Sequence, residues 1–184
     1  KEYVPIFEKL ISGNILRKSQ EGFNAYLERA NVNICVLNHG DAHLKNTMVK
    51  INSSGNVEDI LWIDFQTCHF GPAVMDLMYF LYMSIIDHDT RINKREEIIY
   101  SYFKIFTQTL KNLGFDGEFP KLVDLYKDFL TFKDYELLLV TTFLPMLFAK
   151  ESNREADPAQ VMDSTDFRRN MQQVTILCER FKPH

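Results

Sequence analysis

The spacing of apolar residues changes period near residue 34 and again after residue 72, dividing the chain into helix, strand and helix. Over residues 1–30, Tyr3, Ile6, Phe7 and Leu10 share one helical face, Ser12-Gly13-Asn14 interrupts it, and Phe23, Tyr26 and Leu27 resume it. Ile34 to Leu37 is a short, wholly apolar run that reads as a buried strand. Thr47 to Ile51 alternates as a strand should, Asn52-Ser53-Ser54-Gly55-Asn56 is a turn cluster, and Val57 to Ile63 returns. The pair predicts a β-hairpin with a five-residue connection.

Beyond Gly71-Pro72 the helical period takes over. Met75 to Ile86 is apolar except at Asp76 and Ser84, which predicts a central helix. Residues 92–113 predict a long amphipathic helix stopped by Gly114, with further helices over Phe119–Phe132, Tyr135–Phe148 and Phe167–Phe181. Glu151 to Asp166 is polar, contains Pro158 and reads as an exposed loop. No internal repeat or low-complexity segment marks a boundary, so residues 1–184 read as a single domain of α+β class, mainly helical with one small hairpin.

Composition narrows the function. At 184 residues and 46% hydrophobic the chain can build one good core. A net charge of −4 gives no electrostatic footprint for nucleic acid. The longest apolar run, Leu137 to Ala149, is broken by Thr141, Thr142 and Pro145 and is too short to span a bilayer. Cys35, Cys68 and Cys178 are odd in number and far apart, which is no disulfide framework and fits a reducing, cytoplasmic setting. Fifteen Phe and eight Tyr point to a core or pocket built on large rings.

The chemistry concentrates in His39-Gly40-Asp41-Ala42-His43-Leu44-Lys45-Asn46 and in Asp64-Phe65-Gln66. An Asp leaving a buried strand, an Asn five residues on and a second Asp after an apolar strand form a phosphoryl-transfer pattern. Asp41 can accept the proton of an acceptor hydroxyl. Asn46 and Asp64 offer oxygen donors to Mg2+, which carries the phosphates of ATP and asks few ligands of the protein. The hairpin carries the chain out from Asn46 and back to Asp64, so both end at one edge of a small sheet. Lys45 is a candidate for the nucleotide phosphates because its charge is present at neutral pH, as a solvated surface Lys would also be. His39 reads as a loop-shaping residue. Asp76, a carboxylate inside an apolar helix, needs partners, and the backbone N–H groups of the Asp41 loop would supply them. A rival reading makes His39, Asp41 and His43 a zinc triad for hydrolysis, but leaves Asn46 and Asp64 unexplained. Cys68-His69 is a lone pair with no second pair to complete a metal site.

The His39-Gly40-Asp41 start, Asn46, Asp64-Phe65-Gln66, and Gly71-Pro72 followed by Asp76-Leu77 resemble the insect ecdysteroid-kinase-like, or choline-kinase-like domain, family. That family is similar to aminoglycoside phosphotransferases and choline kinases, which share the protein-kinase fold. The resemblance implies a kinase-like large (C-terminal) lobe in which Asp41 is the base and Asn46 and Asp64 hold magnesium. It further implies an ATP-dependent O-phosphotransferase acting on a small-molecule alcohol, with ecdysteroid-like sterols among the acceptors. Aromatic richness would suit a flat ring system or a cage around a quaternary ammonium, and Tyr79, Tyr82, Tyr100 and Tyr135 stay unassigned. The family commonly has Trp where His43 stands, so His43 inherits no role. The family's small lobe, with its phosphate-covering loop and strand Lys, has no counterpart pattern in these residues. The expectation is therefore a large-lobe fragment that binds nucleotide poorly on its own. A non-catalytic remnant serving as a binding or regulatory module is the alternative.

Overall fold

The computed structural model describes residues 32–85 and 87–143, together with Glu8 and Arg17. Apart from those two residues, the helices expected over 1–30, the helix Phe167–Phe181, the loop Glu151–Asp166 and everything after Phe143 lie outside the described residues. Those that are described divide between two compact units, one running up to Phe132 and the other holding Glu8, Arg17 and the residues from Lys133 on. Together they give a mixed α+β structure with four helices and two small antiparallel sheets.

In the unit ending at Phe132, β1 (Cys35–Asn38) enters the loop that carries Asp41. β2 (Thr47–Ile51) and β3 (Val57–Trp62) form the expected hairpin, in register from Thr47↔Trp62 to Ile51↔Val57, with an irregularity between Lys50 and Ile51. Its turn is closed by Asn52, whose Oδ1 accepts from the N–H groups of Ser54 and Asn56, both at 3.0 Å. β4 (His69–Pro72) was not expected from sequence. It pairs antiparallel with β1, Cys35 opposite Pro72 and Asn38 opposite His69, and the Ala73 N–H continues the ladder to the Ile34 carbonyl at 2.9 Å. Gly71-Pro72 reads locally as a turn. Pro72 is tolerated because it closes an edge strand that has one partner.

This second sheet positions the site. It brings the chain leaving β1 next to the start of α1 (Val74–Met83), which follows β4 after one residue. α2 (His88–Asn112) begins four residues before the expected start at 92, because Asp87 caps it by accepting from the Thr90 N–H at 2.8 Å. It ends at Asn112, and Gly114, at φ +70°, donates to the Lys111 carbonyl at 3.1 Å. α3 (Leu122–Thr131) completes the layer. Val74, Met78, Leu81 and Tyr82 of α1 are buried, as are Ile99 of α2 and Leu125 of α3. The Arg95 guanidinium lies over the Phe129 ring, 5.2 Å from its centre, and Tyr126 hydrogen-bonds Glu96 across the same helix pair.

Asp128 of α3 ties the entry of β1 to the helices. Its carboxylate is fully buried and accepts from the Asn33 N–H at 2.9 Å, the Asn33 Nδ2 at 2.6 Å and the Ile34 N–H at 2.9 Å. Asp128→Ala leaves the buried Ile34 N–H without its acceptor and is expected to cost about 2–4 kcal/mol. Urea unfolding would check this, with Asp128→Asn falling between alanine and wild type. A change within about 0.5 kcal/mol, as at an ordinary surface site, would contradict the assignment.

In the other unit, α4 (Lys133–Leu138) runs into a π-helical turn over Leu139–Phe143, with Leu139 and Val140 buried. The single helix expected from Tyr135 therefore starts two residues earlier and changes winding at a β-branched cluster, Val140-Thr141-Thr142. Among the described residues, no helix is long and apolar enough to cross a membrane.

Candidate active site

The loop after β1 is held from below by Asp76, in the first turn of α1. Its Oδ2 accepts from the His39 N–H at 2.6 Å and its Oδ1 from the Gly40 N–H at 3.0 Å. The requirement that a carboxylate in an apolar helix find N–H partners is met by the loop it was expected to serve. Gly40 itself is obligatory. It sits at φ +82°, and a Cβ there would collide with the Thr67 carbonyl. That close approach lets the Thr67 hydroxyl donate to the His39 carbonyl at 3.0 Å. The far end of the loop is tied down as well, by the Leu44 N–H donating to the Ser84 hydroxyl at 3.2 Å.

His39 clamps the two halves of the site together. Its ring packs between Trp62 and Phe65, at centroid distances of 5.3 and 5.1 Å. Its Nε2 lies 2.9 Å from the Ile63 carbonyl and is therefore the protonated nitrogen, while Nδ1 faces the Asp41 N–H at 3.4 Å. With both ring nitrogens turned to backbone groups, His39 has none to offer the zinc triad. Among the described residues, no group of three or more His, Cys, Asp or Glu side chains is arranged to hold a metal. Cys68 is a free thiol.

Asp41 emerges from this frame about one-third exposed. Both of its oxygens are engaged. Oδ1 accepts from the Tyr79 hydroxyl at 2.7 Å, and Oδ2 accepts from the Asn46 Nδ2 at 2.9 Å. The Asn46 Nδ2 also donates to the Asp41 carbonyl at 3.0 Å. Asn46 is 8% exposed, and its side-chain hydrogen bonds to Asp41 are both donated by Nδ2. Asp64 is joined to Asn46 through the hairpin, because the Ile63 N–H donates to the Asn46 carbonyl at 2.9 Å. Asp64 is therefore the next residue after the one bonded to Asn46. It is exposed, and it is the one non-glycine residue at positive φ (65°) among those described. Left-handed backbone is a conformation Asp tolerates better than most side chains. Its Oδ2 receives only a long contact from the Gln66 Nε2, at 3.4 Å.

At this hairpin edge the Asn46 carboxamide oxygen and the Asp64 carboxylate are the oxygen atoms that could serve as an all-oxygen donor set. That set fits a hard cation such as Mg2+, which completes its shell with water and phosphate. Lys45 lies exposed in the turn Leu44–Asn46, one residue before Asn46, and makes no ion pair among the described residues.

Two residues that sequence reasoning left without a role stand against Asp41. The His43 Nε2 is 3.4 Å from Asp41 Oδ1, and the His43 ring stacks on Tyr79 at a centroid distance of 6.2 Å. Tyr79 keeps its proton firmly: burial first, then the hydrogen bond to Asp41 and the Asp41 charge, hold its hydroxyl well above the usual phenol range. It is a donor to the carboxylate throughout the neutral range. The available signal was helical spacing, since Tyr79 follows Asp76 by three residues and so shares its face. Tyr82 is instead core, with the Arg91 guanidinium 5.1 Å from its ring centre, and Tyr100 is exposed on α2.

A family model described as the ecdysteroid kinase-like family matches residues 6–115, more than half of the chain and the whole of this loop, hairpin and first helix. Neither the curated proteins nor the solved structures give a match.

Proposed function

The chain belongs to the ecdysteroid kinase-like family, and on that premise we propose that it forms the mainly helical large lobe of a cytoplasmic small-molecule kinase, moving the γ-phosphate of ATP to an alcohol. The observation that carries the reading is the Asn46 side chain, which donates to Asp41 while its backbone is bonded to the residue preceding Asp64. One carboxamide thus links the proposed base to the proposed metal site.

In this reading Asp41 orients the acceptor hydroxyl and takes its proton as the oxygen attacks phosphorus. Tyr79 and Asn46 fix the carboxylate from either side, leaving its remaining lone pairs for the acceptor. Asn46 Oδ1 and Asp64 would hold Mg2+, which would supply positive charge to offset that of the phosphates. Lys45 would approach the phosphates from the same turn. The acceptor class suggested by the family is an ecdysteroid-like sterol or another small alcohol.

The test uses the longest natural form of this protein, incubated with Mg2+, ATP and a panel of alcohols that includes sterols. The expected product carries one added phosphoryl group by mass spectrometry and requires both metal and Asp41. Absence of Mg2+-dependent transfer to any acceptor, with ATP bound, would favour a non-catalytic binding module instead.

Tyr79→Phe gives a milder check. It removes one donor to a charged acceptor, and is expected to lower kcat about tenfold, equivalent to about 1.4 kcal/mol. KM for ATP should stay within about twofold, because the residue touches the base and not the nucleotide ligands. Unchanged kcat would show that Asn46 alone is enough to position the carboxylate.

A further inference from the structure

His43 stands beside Asp41 without completing a hydrogen bond to it. Its Nε2 lies 3.4 Å from Asp41 Oδ1, beyond the roughly 2.7–3.2 Å of a well-made N–H···O bond. The ring is nonetheless fixed. It stacks on Tyr79 at an interplanar angle of 27°, and Tyr79 is itself anchored to Oδ1 at 2.7 Å. The main chain is tied down as well: the His43 N–H donates to the Asp41 carbonyl and the His43 carbonyl accepts from the Asn46 N–H, both at 2.9 Å.

Of the two ring nitrogens only Nδ1 is sealed inside the protein, where it makes no hydrogen bond among the described residues. Nε2 faces a carboxylate, so the ring proton belongs on Nε2, in the neutral and the charged ring alike. An oriented N–H therefore sits next to an oxygen that has accepted from Tyr79 and has one lone pair left. The His43 and Asp41 side chains are 22% and 31% exposed, so a molecule that reaches the carboxylate from solvent meets the imidazole as well. A donor and an acceptor this close match two oxygens on adjacent carbons. One hydroxyl donates to Asp41 while its neighbour accepts from His43.

Resting on the kinase reading, we propose that His43 determines acceptor specificity at this site, selecting alcohols with a second oxygen on the carbon next to the reacting hydroxyl, 1,2-diols above all. The first hydroxyl gives its proton to Asp41 as its oxygen bonds the γ-phosphorus of ATP and ADP departs. The second oxygen stays unreacted and fixes the pose.

The probes are cis-1,2-cyclohexanediol and trans-1,4-cyclohexanediol, isomers with the same two hydroxyls, of which only the first can reach both groups. Titration of the longest natural form of this protein, labelled with nitrogen-15 at histidine, reads binding at His43, and mass spectrometry with Mg2+ and ATP reads transfer. The 1,2-diol should bind more tightly, and show a higher kcat/KM, by about fivefold or more, as one added hydrogen bond allows. His43→Phe keeps a ring against Tyr79 but loses the nitrogen, and should remove the preference. His43→Gln returns an N–H near the Nε2 position and should restore part of it, which a purely packing role for the ring would not do. Equal transfer to both isomers would leave the kinase reading standing and overturn the specificity. A preference that survives in His43→Phe, or no binding of either probe, would overturn it too. Preferential binding of the 1,2-diol without transfer would support the diol site and count against the kinase reading.

Discussion

Asp41→Asn is expected to lower phosphoryl transfer by about 10²- to 10⁴-fold, the usual contribution of a positioned general base. The substitution keeps the shape and removes the proton acceptor. Asn46 can still donate to the oxygen of the new amide. The amide nitrogen would then face Tyr79, whose hydroxyl oxygen can accept as well as donate. Folding and nucleotide affinity should therefore survive, which separates this variant from a structural lesion. Steady-state kinetics with a parallel urea titration would check both halves. Loss of the native fold would instead assign Asp41 to turn formation, the other role a loop Asp can have.

Asp64→Asn is expected to fail in a different way. Asn tolerates the left-handed backbone at φ 65° about as well as Asp, so the peptide conformation is preserved and the charge alone is lost. Mg2+ is a hard cation held through one or two carboxylates, and Asp64 is the carboxylate of the proposed pair. Transfer should fall by at least about 10²-fold, and the Mg2+ concentration for half-maximal activity should rise. Asp41→Asn should leave that metal dependence in place. The contrast between the two variants distinguishes base from ligand, and identical metal dependence in both would dissolve the distinction. Asp64→Ala is the poorer test because it adds backbone strain of about 1–2 kcal/mol.

The hairpin was legible because alternation over Thr47–Ile51 and Val57–Trp62 brackets a turn built on Asn52 and Gly55, and both signals are local. The role of Asp76 was legible for a different reason: a carboxylate among Met75, Leu77 and Met78 has to be paired, and few nearby backbone groups are available. β4 was hidden because four residues ending in Gly-Pro carry no alternation. Its pairing with Cys35–Asn38 is a non-local contact that the spacing of apolar residues does not encode. The early start of α2 was missed for want of reading Asp87 as a cap. Tyr79 and His43 escaped because a phenol or imidazole on an apolar stretch fits a core as readily as a site. Their contact with Asp41 exists only once the loop is folded back over α1. Nothing in Val36-Leu37-Asn38 shows that the Asn38 carboxamide is buried without a hydrogen-bond partner among the described residues.

The central claim is that Asn46 and Asp64 share one divalent ion next to Asp41. Paramagnetic relaxation tests it directly, using protein labelled with nitrogen-15 and titrated with Mn2+ and ATP. The Asn46 side-chain amide signal should broaden beyond detection as the titration saturates in wild type, and should persist under the same conditions in Asp64→Asn. A saturating titration that leaves the Asn46 amide sharp in wild type would contradict the account.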